Sequence, residues 1–232
     1  MKEPNKYFDN NLVQGVSLLD SMRNNNVLKI VFSSTAAVYG TPKRVPIKES
    51  DIKKPINPYG EAKWMFEQVL NRYHEAYGLK YHAFRYFNAA GATVKNKEKH
   101  EPETHLIPLI MQAARGEREA ISVFGNDYDT PDGTCIRDYV HVSDIVGAHL
   151  LSLKYLDKYP AKVFNLGNGN GYSVKEVIDV VKKVSGKDFK VIESQRREGD
   201  PARLVASSQR AKKLLGWKPE FPELEGIVKS AW

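Results

Sequence analysis

The chain has 232 residues, a formal net charge of +7 and 41% hydrophobic residues, enough for one large domain or two small ones around a buried core. No run of about eighteen apolar residues occurs, which excludes a transmembrane helix, and the polar start from Met1 to Asn11 lacks the apolar stretch of a signal peptide. Cys135 is the only cysteine, so neither an intramolecular disulfide nor a metal site of several thiolates can form, and the expectation is a cytoplasmic protein with no metal and no membrane association.

Charge alone is permissive. A basic chain suits an anionic partner, either nucleic acid or a phosphorylated small molecule. The densest basic stretch, Lys95 to Lys99, is broken by Glu98 and reads as an exposed loop. No basic stripe is interleaved with aromatics, so a nucleic-acid groove is not expected.

In chain order, Leu12, Val16, Leu19 and Met22 recur at three- and four-residue steps and predict an amphipathic helix. Val27 to Phe32 is almost wholly apolar, the pattern of a strand buried on both faces. Asn57-Pro58 opens a helix, with Asn as N-cap and Pro at its first position, and Gly78 can end it in the left-handed conformation. Leu79 to Phe87 reads as a strand. After Asn88 the pattern loosens into loops, with a short helix near Leu106 to Arg115 and a strand near Ile121 to Phe124. A helix from Ser143 to Leu156 and a strand from Val163 to Leu166 follow. Ser173 and Glu176 form a capping box, whose helix turns Val174, Val177, Ile178, Val181 and Val184 inward and stops at Gly186. The alternation predicts an α/β fold: part of a doubly wound, Rossmann-type parallel sheet followed by a smaller carboxyl-terminal domain. The expected division is residues 1–90 and 91–232, with 141–167 returning to the first domain.

Tyr59 and Lys63 lie one helical turn apart on the helix opened by Pro58, so both side chains emerge on one face. A free tyrosine, with a pKa of about 10, is a poor base at neutral pH. A neighbouring ammonium favours the phenolate, so the pair suits taking a proton from an alcohol while hydride leaves its carbon. This spacing is common by chance, and its context decides. The apolar strand runs into Ser33-Ser34-Thr35, and catalytic groups of open α/β sheets gather at the carboxyl ends of strands.

Ser33-Ser34-Thr35, then Val38-Tyr39-Gly40, then Asn57-Pro58-Tyr59-Gly60-Glu61-Ala62-Lys63 resembles the extended short-chain dehydrogenase/reductase family. Arg85 to Gly91 resembles that family's strand end beside nicotinamide and sugar. Phe124 to Val142, with its Gly125-Asn126-Asp127-Tyr128 and Arg137-Asp138-Tyr139-Val140-His141 portions, is similar to the signature of the family's UDP-sugar 4-epimerases, as is Arg196-Arg197-Glu198-Gly199-Asp200. The resemblance covers essentially the whole chain in order.

It implies interconversion of UDP-galactose and UDP-glucose through a transient 4'-keto sugar, with tightly bound NAD. Tyr59 as phenolate would take the 4'-hydroxyl proton, Lys63 would keep it ionised and reach the cofactor ribose, and Thr35 would bridge Tyr59 and the sugar. Asn10, Ser33, Ser34, Tyr59, Lys63 and Phe87 match cofactor positions. Thr35, Asn88, His105, Leu106, Ser122, Val123, Phe124, Arg137, Arg197, Asp200 and Leu204 match substrate positions. Arg137 and Arg197 would hold the diphosphate, for which guanidinium geometry is suited. Leu204 falls where a bulky residue is associated with UDP-glucose and a smaller one admits N-acetyl sugars, so its intermediate size leaves UDP-N-acetylglucosamine open.

The chain departs from the family at its front. Members begin with a strand, a Gly-x-x-Gly-x-x-Gly turn and a helix that hold the NAD pyrophosphate, and nothing before Lys29 matches them. Gly167-Asn-Gly-Asn-Gly171 has the wrong spacing for that turn, with Tyr172 where a third glycine is needed, and reads as a later strand–helix connection. The expectation is a chain lacking the amino-terminal cofactor segment, with an exposed sheet edge. The alternative function is a silent UDP-sugar-binding or dimerising fragment. Helices 11–24 and 59–77 resemble the family's dimer pair, so a homodimer is expected. A dehydratase fits less well, since Ala36 and Ala37 stand where an acid would follow Thr35.

Overall fold

A computed structural model describes residues 3–95, 100–197 and 199–232. Most of the basic stretch from Lys95 to Lys99, and Glu198 of the later arginine motif, therefore lie outside the described residues. In chain order the elements are α1 (Pro4–Phe8), a π-helical turn (Asp9–Val13), α2 (Gln14–Asn24), β1 (Lys29–Thr35), a 3-10 turn (Ala36–Tyr39), α3 (Pro58–Tyr77), β2 (Lys80–Tyr86), β3 (Asn88–Ala90), α4 (Leu106–Ala114), β4 (Ala120–Phe124), β5 (Ile136–Arg137) and β6 (Tyr139–His141). There follow α5 (Val142–Tyr155), β7 (Lys162–Leu166), β8 (Tyr172–Ser173), α6 (Val174–Ser185), β9 (Lys190–Ser194), β10 (Arg203–Leu204), α7 (Gln209–Leu215) and α8 (Leu224–Ala231). None of the helices is long and apolar enough to cross a membrane among the described residues.

The chain forms two compact units: Met1–Tyr86 with Gly147–Leu166 and Ser207–Trp217, and Phe87–Val146 with Gly167–Ala206 and Lys218–Trp232. The first is built on a parallel sheet ordered β1-β2-β7. Its central strand β2 is buried on both sides because its side chains alternate. Tyr81 and Ala83 join a core with Leu19 of α2 and Phe66 and Leu70 of α3, and Arg85 reaches Glu67 of α3. On the other face, His82 meets Ser152 and Phe84 and Tyr86 meet His149, both from α5. Helices therefore cover both faces, the doubly wound arrangement.

Strand β1 differs from expectation. Pairing starts at Lys29, Val27 and Leu28 precede it exposed, and Ile30, Val31 and Phe32 are only half-buried. The physical reason is position: β1 is hydrogen-bonded to β2 alone and forms an edge of the described sheet. Its apolar run has the composition of an interior strand without the burial.

Helix α3 is set as its ends dictate. Asn57 accepts from the Gly60 N–H at 2.8 Å, Pro58 occupies the first helical position, and Gly78 ends the helix at φ 71°. Gly60 is required by proximity, since a Cβ there would stand 2.6 Å from the Ala37 carbonyl oxygen. Its absence lets the first turn of α3 lie against the end of β1.

The second unit packs α4, α6 and α8 with β4 around Ile110, Val123, Val177, Val181 and Ile227. The capping box is complete: the Glu176 N–H donates to Ser173 Oγ, the Ser173 N–H donates to Glu176, and Gly186 closes α6. The loosely patterned region holds four short pairings: β3 with β6, β4 with β9, and β5 between β10 and β8.

Candidate active site

In the first unit, three successive residues at the end of β1 meet one face of α3. Lys63 Nζ donates to the Ser33 carbonyl at 3.1 Å and lies 4.9 Å from the Phe32 ring centroid. Ser34 Oγ donates to Glu67 at 2.5 Å. The Thr35 hydroxyl lies close enough to the Tyr59 phenol to act to lower its pKa. It also accepts from the Ala37 N–H at 3.1 Å, which commits one of its two lone pairs. Tyr59, Lys63 and Glu67 are spaced by four and share a stripe.

Burial pushes the Tyr59 phenol above its ordinary value, and only the Thr35 hydroxyl opposes it. Burial also holds the Lys63 ammonium below its ordinary value. The lysine stands 5.8 Å from the Tyr59 ring centroid. The sequence-based expectation that it depresses the phenol is thus not met by these groups on their own, because desolvation dominates at this separation. Tyr7 of α1 packs edge-on to Tyr59, with ring centroids 6.3 Å apart.

The remaining cofactor positions divide. Ser33 Oγ is 3.0 Å from Tyr86 Oη, which is 2.8 Å from His149 Nε2. Ser34 turns inward, 2% exposed, so its hydroxyl serves Glu67 and not a ligand. Asn10 is exposed and accepts weakly from Gln14 at 3.4 Å. Phe87 is buried in the second unit.

There, Arg137 of β5 is paired with Asp200 and donates to the Ile136 carbonyl. Leu204 is the register partner of Arg137 across β10 and β5, so the three fall together. The exposed Arg197 guanidinium lies 4.0 Å from the Phe124 ring centroid, and Arg196 lies 4.1 Å from that of Tyr128. Burial raises the Cys135 thiol, while the charges of Arg137 and, less, Arg197 act to lower it. Val123 points into the core and Ser122 is half-buried, so this strand can offer a ligand chiefly backbone and the Phe124 ring. His105 is the exposed residue before α4, its Nδ1 2.8 Å from Glu103, and Leu106 begins that helix. Asn88 is exposed on β3 and donates its N–H to the Asp138 carbonyl.

The glycine loop after β7 binds an anion, but the anion is internal. The Asn168 and Gly169 N–H groups donate to the Asp138 carboxylate at 2.7 and 2.9 Å, and Ala206 adds a third at 2.9 Å. A Cβ at Gly167 would stand 2.4 Å from Asp138 Oδ2. These amides are already committed, which is why the loop is glycine-rich without being a phosphate cradle.

Comparison with known proteins decides the family. The model of the NAD dependent epimerase/dehydratase family matches residues 1–167. The chain belongs to that family. The UDP-glucose 4-epimerase of Halalkalibacterium halodurans is 50% identical over the whole chain and 70% of its own length. A crystal structure of a UDP-glucose 4-epimerase superposes with a TM-score of 0.96 at 50% identity, covering 100% of this chain and 71% of that one. The Brucella ovis enzyme, solved in complex with NAD, gives 0.94 at 43% identity, covering 99% and 72%. As an NAD dependent epimerase/dehydratase, the chain uses NAD, and the first unit fits it. An ammonium carries three N–H groups and Ser33 takes one, leaving donors suited to ribose hydroxyls beside a tyrosine at a strand's carboxyl end.

Sequence reasoning missed Glu67, and it placed Arg85 and Tyr86 in the Arg85–Gly91 motif without giving either a role of its own. Glu67 had a readable signal, an acidic residue eight positions beyond Tyr59 on a stripe that also carries Lys63.

Proposed function

We propose that the chain is a UDP-glucose 4-epimerase, interconverting UDP-galactose and UDP-glucose through a transient 4'-keto sugar. The observation that carries this reading is the β1–α3 contact, where the Thr35 hydroxyl lies close to the Tyr59 phenol and Lys63 stands on the same helix face. Tyr59, as phenolate in the loaded enzyme, takes the proton of the 4'-hydroxyl, and the Thr35 hydroxyl bridges Tyr59 and the sugar oxygen. When bound, NAD would supply the acceptor for the hydride leaving C4' and the donor of the hydride that returns to it. The keto sugar then presents its opposite face, and Tyr59 returns the proton to the carbonyl oxygen.

Substrate positions follow the same reading. Arg137 and Arg197 hold the diphosphate, Phe124 with the backbone of Ser122 and Val123 holds uracil, and Asp200 contacts ribose. Asn88, His105 and Leu106 line the sugar and diphosphate. Asn10, Ser33 and Phe87 contact the cofactor, and Ser34 does so through its backbone alone. Leu204 sets tolerance for the sugar's 2' substituent, and its intermediate size leaves UDP-N-acetylglucosamine open. A homodimer through helices 11–24 and 59–77 is supported by Val13 and Leu18, exposed at 55% and 53%. A cytoplasmic setting suits a chain whose one cysteine is a buried free thiol.

The test is incubation of the purified chain with UDP-galactose and NAD, followed by proton NMR. UDP-glucose should accumulate to an equilibrium mixture and should not form with Tyr59→Phe. A folded chain that binds UDP-galactose without converting it would favour a binding protein, and a 4-keto-6-deoxy product would favour a dehydratase.

A further inference from the structure

The groups behind the β1–α3 contact form one buried network. Glu67 is 3% exposed and Arg85 is 2% exposed. Arg85 reaches Glu67 as a fork, Nε to Oε1 at 3.0 Å and Nη2 to Oε2 at 2.5 Å. Its remaining nitrogen donates to Tyr39 Oη at 2.8 Å and to the Glu49 carbonyl at 3.3 Å. Tyr39 in turn donates to Asn165 of β7 at 2.6 Å. Every strand of the sheet and helix α3 thus contribute to a single polar assembly. Ser34 and Arg85 are register partners on β1 and β2, so both approach Glu67 from the sheet at the same height.

This arrangement exceeds what fold stability requires. Apolar residues of similar volume would pack α3 against the sheet at no loss, since a buried ion pair repays little net energy. What a hydrogen-bonded fork supplies and a hydrophobic contact does not is direction. Glu67 is fixed in rotation and height by three donors, two from Arg85 and one from Ser34. Lys63 and Tyr59 stand one and two turns away on the same stripe.

We infer that Glu67 is a positioning residue for Tyr59 and Lys63, locking α3 through Ser34 and Arg85 so that the phenol meets Thr35. The inference rests on the reading of Tyr59 as the acid–base group. Ser34 sits between Ser33, which takes Lys63, and Thr35, which takes Tyr59. Releasing the middle contact therefore loosens the two on either side. A displacement of about 1 Å at a reacting group can cost roughly 10²-fold in rate. The titratable groups around Tyr59 are Lys63 from its own helix, Tyr7 from α1 and Tyr86 from β2.

The test follows the Tyr59 phenol by 13C NMR of the full chain labelled at tyrosine Cζ, without added NAD, the resonance being assigned with Tyr59→Phe. In Ser34→Ala the Arg85–Glu67 fork remains, so the chain should fold. Its Tyr59 titration should move to higher pH, because the Thr35 contact that lowers it is weakened. Ser34→Thr should restore the parent value. Glu67→Gln, which sets an amide NH₂ against an Arg85 donor, should shift it further. With UDP-galactose and NAD, Ser34→Ala should lose about tenfold or more in kcat with KM nearly unchanged. An unshifted Tyr59 titration in folded Ser34→Ala would overturn the inference. Because that titration needs neither cofactor nor turnover, it tests the positioning role even in a chain that converts no sugar, an outcome that would count against the proposed function alone.

Discussion

The two units hold their polar groups in opposite ways. At the end of β1, each functional side chain is backed by a committed internal partner: Lys63 by the Ser33 carbonyl, Thr35 by the Ala37 N–H, and the stripe itself by Glu67 and Arg85. In the second unit, Arg196 and Arg197 are exposed and rest on ring faces, Arg196 also pairing with the exposed Asp127, while Arg137 is buried and paired with Asp200. The difference follows the demands of the chemistry. Proton transfer fails when its groups are misplaced, whereas an anion is attracted over a wide range of geometry by nearby guanidinium groups. Rigid placement is concentrated where bonds change, and exposed charge where a ligand is held.

The sharpest way to break this comparison is at Tyr59. Tyr59→Phe removes the proton carrier and should reduce conversion of UDP-galactose by about 10²- to 10⁴-fold, with the affinity for UDP, measured by calorimetry, close to that of the parent. Equal losses of both would mean that the two regions are not functionally distinct.

Stability provides the next contrast. Glu67→Ala strands the buried Arg85 and should cost about 3–5 kcal/mol in urea unfolding. Arg196→Ala removes an exposed pair with Asp127 and should cost about 0–1 kcal/mol. Similar costs would show that burial does not separate the two networks.

Affinity should move the other way. Arg197→Ala removes a charge-assisted donor, typically about 1.5–3 kcal/mol, and should weaken UDP binding by roughly 10- to 100-fold. The Tyr59 titration should be unchanged. An effect on Tyr59 with none on UDP would reverse the assignment.

The smallest expected effect is on pH dependence. Burial holds the His82 imidazole below its ordinary value of 6.5, while its nitrogens lie 2.7 Å from Ser152 Oγ and the Tyr159 carbonyl. The folded state thus binds this proton less readily than the unfolded chain. The contribution is fully present above pH 6.5 and is lost as pH falls through the lower folded value. Stability of the first unit should decline in that acid window, and His82→Gln should flatten the decline. An unchanged slope would show that His82 does not govern it.

Long periodic elements were legible in the sequence because their signals are local. The Asn57-Pro58 start and Gly78 stop of α3, and the Ser173–Glu176 box of α6, act within one turn of the chain. The two-residue strands β5, β8 and β10 were not legible, since pairings such as Leu204 with Arg137 join residues far apart and leave no period. The edge position of β1 was anticipated for the sheet, yet its apolar run still predicted full burial, because composition records which neighbours a strand suits and not which it has. Motif resemblance located Tyr59, Lys63 and Thr35. The inward turn of Ser34 depended on Glu67, thirty-three residues away, and no local pattern reports such a contact.

The most direct test of the central claim is conversion of UDP-galactose carrying deuterium at C4' in the presence of NAD, with the product examined by NMR. UDP-glucose should retain deuterium at C4', because the hydride leaves and returns to the same carbon while only the oxygen-bound proton passes through Tyr59. Product with C4' deuterium exchanged for solvent hydrogen, or no product from the folded chain, would contradict it.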